Sequence, residues 1–285
     1  MPRLLFTCDV ECHDPRRPEN WLLGRTVDGS WLEWVARELQ KRRIEGVFFV
    51  DFIGCEKWPK TLDRVLDILT ECGQRVELHI HPSNAQQCQK KRLNELSQEW
   101  QATLFAEAIE NYIRFIGKEP HCFRAGAYGL NRQTLALLSE YKLADSSYYP
   151  GKPQVEVTLP DYTEFQVAVW PITTLFLPFL HKHVKHDLNI LPRSVLANQI
   201  LANDVMFFLH SFSFNRFQGR VLTSEVNQRV VRRMNTILRA IDEGVVSPVR
   251  LDDFTGYLQT TGISLFDACT TVLYCFLRSH LGLLE

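Results

Sequence analysis

Two pairs of side chains in this sequence have types and spacings that suit metal-assisted proton transfer. Asp9 and Glu11 are separated by one residue, so in an extended chain both carboxylates point to the same side. His79 and His81 repeat this spacing with imidazoles, which are common ligands of divalent cations. One acid can hold a metal while the other accepts a proton from water. The alternative for each pair is a polar strand end without a catalytic role.

Arg124 and His210 also follow short apolar runs. A histidine at the end of the run 205–209 is either a hydrogen-bonded core residue or a proton donor, and the two pairs above favour the donor. A rival histidine cluster contains two lysines, which would repel a cation. We therefore expect a solvated basic loop there, at His181, Lys182, His183, Lys185 and His186.

The elements that must position these residues form a regular alternation of apolar runs and helical patterns. Strands are predicted near residues 4–8, 46–52, 75–81, 121–125, 143–148, 165–170, 205–210 and 245–251. Ser30, Pro59 and Asn131 are suited to helix starts, and a helix is predicted over 225–242. About seven or eight strands alternating with helices indicate an α/β barrel. The carboxyl ends of its strands open on one face, where the ionisable residues would meet.

The domain organisation predicted from this alternation is a single catalytic domain over residues 1–285. It includes an irregular insertion at about 150–193, rich in proline and aromatic residues, and a helical tail at about 253–285. The apolar stretch 263–277 contains Asp267 near its centre, so we expect an amphipathic helix packed on the domain rather than a membrane span. A tail that docks on a membrane or a partner is the alternative.

The composition excludes several classes of protein. The 32 Lys and Arg residues nearly balance the 33 Asp and Glu residues, so no global field recruits nucleic acid. The eight cysteines form no double C-x-x-C pattern, and the amino terminus lacks a signal-peptide pattern. We expect reduced thiols and a cytoplasmic protein without a transmembrane segment; the oligomeric state is left open.

Five segments, taken in chain order, resemble the motifs of the polysaccharide deacetylases (NodB-homology group, carbohydrate esterase family 4). These segments are 7–11 (TCDVE), 77–82 (ELHIHP), 123–129 (FRAGAYG), 145–147 (DSS) and 208–211 (FLHS). The resemblance covers residues 4 to about 251 and is weakest over 150–193. It implies a distorted (β/α)7-type barrel that removes acetyl groups from sugars with a divalent metal, usually zinc.

The resemblance also implies roles for individual residues, which we take as expectations. It implies that Asp9 is the base, that Arg124 orients it and that His210 is the general acid. The implied metal ligands are Glu11, His79 and His81. For substrate binding, the resemblance implies Asp145 in one wall and Leu209 in the acetyl pocket. The needs of the reaction add a backbone N–H near Tyr128 that would face the oxyanion, and the aromatic residues near the mouth add Trp170, which suits sugar stacking.

Two departures from the family pattern leave the metal shell open. Glu11 replaces the usual second aspartate after an inserted Val10, and the position four after His79 is Ser83 rather than histidine. His13 or Asp14 is therefore an alternative ligand.

Three functions follow from these expectations. The first is a deacetylase of an acetamido sugar, such as a sugar nucleotide, a lipid-linked sugar or a glycoside, in bacterial surface polysaccharide or lipopolysaccharide biosynthesis. The second is a hydrolase of a non-sugar amide or ureide on the same barrel. The third is a non-catalytic carbohydrate-binding barrel.

Overall fold

A computed structural model describes residues 1–27, 29–85, 88, 90, 92–219, 221–254, 260–261 and 264–281. The helices are α1 Pro18–Leu22, α2 Trp31–Lys41, α3 Pro59–Glu71, α4 Gln98–Ile116, α5 Arg132–Glu140, α6 Leu159–Glu164, α7 Arg193–Ala202, α8 Gln228–Asp242 and α9 Leu265–Leu281. The strands are β1 Arg3–Val10, β2 Val47–Asp51, β3 Arg75–Ile80, β4 Cys122–Ala125, β5 Ala144–Asp145, β6 Thr174–Leu177, β7 Lys182–Lys185, β8 Val205–His210, β9 Asn215–Gln218, β10 Val221–Val226, β11 Ser247–Pro248 and β12 Thr260–Thr261.

The three predicted helix starts are confirmed. Ser30 Oγ accepts a hydrogen bond of 3.2 Å from the third residue of α2, and Pro59 is the first residue of α3. Asn131 Oδ1 accepts a hydrogen bond of 3.0 Å from Thr134 N in α5. These contacts satisfy N–H groups that have no partner inside the helix.

The central sheet has seven strands, and its strand pairs are all parallel. β1 lies between β8 on one side and β2 on the other, with β11 beside its first residues. The sheet then continues through β3, β4 and β5. Parallel neighbours need crossover connections, and helices supply most of them here. The predicted α/β class is confirmed.

The two edges of this sheet are joined through the segment after β5. Asp145 forms a parallel bridge with Val169, and Thr173 O accepts a hydrogen bond of 3.4 Å from His186 N. His186 O in turn accepts one of 3.0 Å from Phe208 N in β8. The parallel strands therefore curl into a distorted, partly closed barrel, and the predicted barrel class is confirmed.

The segment 150–193 differs from its predicted details. The predicted strand over 165–170 is reduced to the bridge at Val169, while β6 and β7 form an antiparallel hairpin. The prediction of a solvated loop is wrong for Lys185 and His186. The His186 residue is fully buried, and the Lys185 side chain is 13% exposed. Barrel closure draws both inward.

Alternation along each strand separates two apolar layers. On β1, Leu4 and Phe6 face the helices and belong to the larger core. Leu5 faces the barrel interior, where it joins a smaller cluster with Phe49 and Phe208. The same alternation decides which strand residues reach the mouth of the barrel.

The C-terminal helix α9 packs against α7, where Asn198 Nδ2 donates to both Asp267 oxygens at 3.1 and 3.0 Å. Phe266 and Leu273 on its other side are 74% and 56% exposed. Across the described parts of the chain, no helix combines the length and the hydropathy that a membrane crossing requires.

Candidate functional site

The carboxyl ends of β1, β3, β4 and β8 bring together the six ionisable residues that the sequence singled out. Register places Asp9 beside His210 and His79 beside Arg124. Glu11 and His81 follow β1 and β3 directly. Because Asp9, His79, Arg124 and His210 lie on the inward side of their strands, distant segments of the chain meet at one mouth.

Asp9 is held by a fully buried arginine. Arg124 Nη1 donates to Asp9 Oδ1 at 2.8 Å and to Thr7 Oγ1 at 3.1 Å. Its Nε and Nη2 donate to the carbonyl and hydroxyl oxygens of Ser146, both at 2.9 Å, and its guanidinium lies 4.0 Å from the Phe49 ring centroid. A rigid donor fork with this many partners fixes the orientation of the carboxylate.

Glu11 is buried among four imidazoles whose Nε2 atoms face its carboxylate. The separations are 2.9 Å for His13, 3.2 Å for His79, 3.2 Å for His210 and 3.6 Å for His81. Burial alone would raise the pKa of Glu11, but the charge and hydrogen bond of His13, with further hydrogen bonds from His210 and His79, hold it well below its usual range. The carboxylate therefore stays ionised.

Glu11, His13 and His81 form a compact donor set, with ligand atoms within 4.8 Å of one another. One carboxylate and two imidazoles suit a divalent cation such as zinc. Burial lowers the pKa of His81 to about 4, so its ring is neutral. Ser83 Oγ lies 2.8 Å from His81 Nδ1, and such a contact orients the ring for ligation through Nε2.

His79, the expected third ligand, lies outside this compact set. Its side chain is 1% exposed, and its Nδ1 has no hydrogen-bond partner among the described residues. Burial would lower the pKa of His79, but the hydrogen bond to Glu11 and the charges of Asp9, Glu11 and Asp51 raise it to about 9. The geometry thus favours His13 over His79, while Asp14 pairs with Arg16 at 2.9 Å.

His210 is positioned by two aromatic rings. Its ring stacks on Phe212 at 4.9 Å between centroids and meets Phe208 edge-on at the same distance. Its backbone N–H donates to Ser213 Oγ at 2.8 Å. The imidazole is 23% exposed, so it contacts both the buried carboxylate of Glu11 and solvent.

Tyr128 lies in a strained turn after β4, and its ring centroid is 6.1 Å from that of Phe208. Ala127 and Tyr128 have φ values of 50° and 60°, which side chains other than glycine seldom adopt. Lys185 Nζ donates to Tyr128 Oη at 2.5 Å and lies 3.4 Å from the Phe208 ring centroid. A buried cation therefore sits beside the turn whose N–H groups were expected to face an oxyanion.

The remaining predicted residues do not all reach the site. Trp170 is half-buried and packs against the inner apolar cluster. Asp145 is fully buried, and its Oδ2 accepts hydrogen bonds from Tyr162 Oη at 2.8 Å and Tyr148 N at 3.1 Å. It therefore stabilises this wall through buried contacts. Leu209 faces the helix layer, because alternation along β8 places the neighbouring Phe208 and His210 on the inner face.

Three residues near the site had no assigned role at the sequence level. Phe208 could have been found from alternation, since it lies two positions before His210. Ser146 supports Arg124 through its backbone and side chain. No sequence pattern indicated that Lys185 lies near the site, because its position depends on how the barrel closes.

The sequence matches no family model and no curated protein. Among solved structures, a family 4 carbohydrate esterase from Streptomyces lividans in complex with acetate matches with a TM-score of 0.49 and 8% identity, over 92% of this chain and 98% of that one. A family 4 carbohydrate esterase from Bacillus anthracis matches with a TM-score of 0.48 and 13% identity, over 88% of this chain and 81% of that one. A mutant of the family 4 pseudoenzyme BA3943 with restored enzymatic activity matches with a TM-score of 0.45 and 10% identity. This match covers 88% of this chain and 66% of the length of that protein. At these identities the comparison assigns no activity to this chain.

Proposed function

We propose that this protein is a metal-dependent hydrolase that removes the N-acetyl group from an acetamido sugar, in the manner of the polysaccharide deacetylases. One observation carries the proposal: Asp9, fixed by the fully buried Arg124, stands one residue from a Glu11 that four imidazoles face. In this proposal the groups that share the barrel mouth act as a base, a divalent-cation donor set and a proton donor.

The donor set Glu11, His13 and His81 fits a divalent metal, and zinc is the expected ion. When bound there, such an ion polarises an amide carbonyl and acidifies water. His79 then contacts Glu11 from the buried side at 3.2 Å and orients it.

The chain itself would supply the proton transfers. Asp9 accepts the proton of the attacking water, and the guanidinium of Arg124 holds Oδ1 so that the carboxylate does not rotate. His210 donates a proton to the departing amine from the rim of the site. The backbone N–H of Tyr128, in its strained turn, would bind the oxyanion.

The substrate we propose is a precursor in bacterial surface polysaccharide or lipopolysaccharide biosynthesis, handled in the cytoplasm by a single catalytic domain over residues 1–285. Phe208, on the inner face next to His210, is suited to pack against the acetyl methyl group.

The direct test is acetate release from a panel of acetamido sugars by the metal-loaded protein. The substitution Asp9→Asn should lower kcat by about 10²–10⁴-fold while the bound metal is retained, because Asp9 moves a proton and binds no metal. If wild type and Asp9→Asn both release no acetate from any sugar, the proposal is wrong, and release from a non-sugar amide would favour a different hydrolase.

A further inference from the structure

A cavity of about 470 Å³ opens beside His210, a size typical of pockets that enclose small ligands. Its lining residues lie between β7 and α7, from the end of β8 through β9, in the first turns of α8, and at Tyr274 of α9. Asp9 and Glu11 are not part of its lining, whereas His210 is. The cavity therefore adjoins the proposed reaction centre without coinciding with it.

Three arginines line this cavity, Arg216, Arg229 and Arg233. The one carboxylate in the lining, Asp187, is already balanced: Lys185 Nζ lies 3.5 Å away, and Asn189 donates to its Oδ1 through its backbone N at 2.8 Å and its side chain at 3.0 Å. Glu225 pairs with Arg216 at 3.5 Å but is 55% exposed and lies outside the lining. The net character of the walls is positive.

Arg233 is the most informative of the three because it is 4% exposed. Its Nη1 donates to Leu188 O at 2.6 Å and its Nη2 to Tyr274 Oη at 2.7 Å, both neutral acceptors. Within the described part of the chain, no carboxylate lies within ion-pair distance of it. Burying a cation without a counter-charge costs several kcal/mol, so an anion that enters the cavity would gain a strong partner.

The chemistry of these walls favours a phosphate ester over a single carboxylate. Guanidinium groups bind phosphate oxygens in pairs, and Asn227 adds a side-chain amide to the same lining. Several anionic oxygens are needed to engage three arginines and fill the available volume.

Given the proposed function, we infer that this cavity binds the phosphate or diphosphate ester at the anomeric carbon of the acetamido sugar. The acetamido and anomeric carbons of such a sugar are neighbours, so one ligand can reach His210 and the arginines together. The nucleotide-linked and lipid-linked sugars share this chemistry. The inference rests on the proposed function for its substrate and on the arginine walls for its anion.

The test compares three substrates by kcat/KM for acetate release: UDP-N-acetylglucosamine, a polyprenyl diphosphate N-acetylglucosamine in detergent, and uncharged methyl N-acetylglucosaminide. We expect one of the charged substrates to exceed the methyl glycoside at least tenfold. Which of them does so identifies the source of the ester. Equal values for all three would overturn the inference.

Variants of the cavity provide a second arm. Arg229→Gln should raise KM for the preferred charged substrate about 10- to 100-fold, the loss expected for one charge-assisted hydrogen bond, and leave the methyl glycoside unaffected. Arg233→Lys keeps the buried charge and should weaken binding in the same direction. Arg232→Gln, exposed on the same helix, is the matched control and should match wild type.

Binding of inorganic diphosphate, measured by calorimetry on the metal-loaded protein, separates the two hypotheses. Any binding through the metal is common to all variants, so a loss confined to Arg229→Gln and Arg233→Lys supports the anion site even if no acetate is released. Equal diphosphate affinity in these variants, Arg232→Gln and wild type would overturn it, whatever the deacetylase activity.

Discussion

At the scale of single residues, Glu11 organises the candidate site, because its carboxylate is the one group that all four imidazoles approach. Two of those imidazoles, His13 and His81, share a compact donor geometry with it. The other two contact the same oxygens from the buried side and from the rim. The four histidines thus take different positions around a single acid, and the roles that we propose for them follow from those positions.

The first prediction separates the two candidate third ligands. We expect His13→Ala to lower zinc affinity by more than about 100-fold, because it removes a donor atom, whereas His79→Gln should cost about 10–100-fold, as removal of a group that orients a ligand does. Equilibrium dialysis against zinc measures both. A larger loss for His79→Gln than for His13→Ala would restore the ligand set expected from the sequence.

The second prediction concerns His210. We expect His210→Gln to lower kcat by about 10²–10⁴-fold, the usual contribution of a general acid, with the zinc content unchanged, since His210 lies outside the donor set. Steady-state acetate release and metal analysis of one preparation test both parts. Loss of zinc together with activity would instead make His210 a ligand.

Among the secondary-structure elements, the turn that follows β4 packs directly against the candidate site. Gly126 begins this turn, and a Cβ atom there would lie 2.8 Å from His81 Cδ2 and 2.8 Å from Ile80 O. Contacts under 3.0 Å force something to move. The absence of a side chain at Gly126 therefore allows the His81 ring to sit against the backbone.

The third prediction follows from this contact. Gly126→Ala should weaken zinc binding at least about tenfold without removing a ligand, because the His81 ring must shift. Gly117→Ala is the control: its Cβ meets no atom within 4 Å, but φ is +77°, so it should cost about 1 kcal/mol of stability and leave zinc binding intact. Unchanged zinc affinity in Gly126→Ala would contradict this prediction, because it would show that the turn moves to accommodate the added methyl group.

At the scale of the whole molecule, the barrel depends on a closure that contains a buried histidine. His186 Nδ1 donates to Thr173 O at 2.9 Å between the two edges of the sheet. Burial lowers the pKa of His186 to about 4. The folded barrel therefore keeps this ring neutral at pH values where the unfolded chain, with a pKa near 6.5, is protonated.

The fourth prediction is the resulting pH dependence. The contribution of His186 to stability is complete above pH 6.5 and is lost as the pH falls towards 4, by up to about 3 kcal/mol. His186→Asn, whose amide can still donate to Thr173, should show a shallower decline than wild type in urea unfolding at pH 7.5, 6.0 and 5.0. The exposed His121→Asn serves as the matched substitution. Parallel curves for His186→Asn and wild type would contradict this assignment.

Local sequence patterns were enough to predict the fold class and the six ionisable residues at the mouth. Asp9, Glu11, His79, His81, Arg124 and His210 were identified because strand patterns end at them, and carboxyl ends of parallel strands share one face. The starts of α2, α3 and α5 were equally predictable, since capping depends on local side-chain chemistry.

The arrangement of these residues around Glu11 depends on contacts that sequence patterns do not describe. Whether His13 or His79 joins Glu11 and His81 depends on the path of the loop after β1, and spacing along the chain does not describe that path. Lys185 and His186 belong inside the molecule because the barrel closes over them, and the cavity beside His210 exists because α8 and α9 approach each other there. Local patterns report periodicity and caps, whereas these features arise from contacts between segments far apart in the chain.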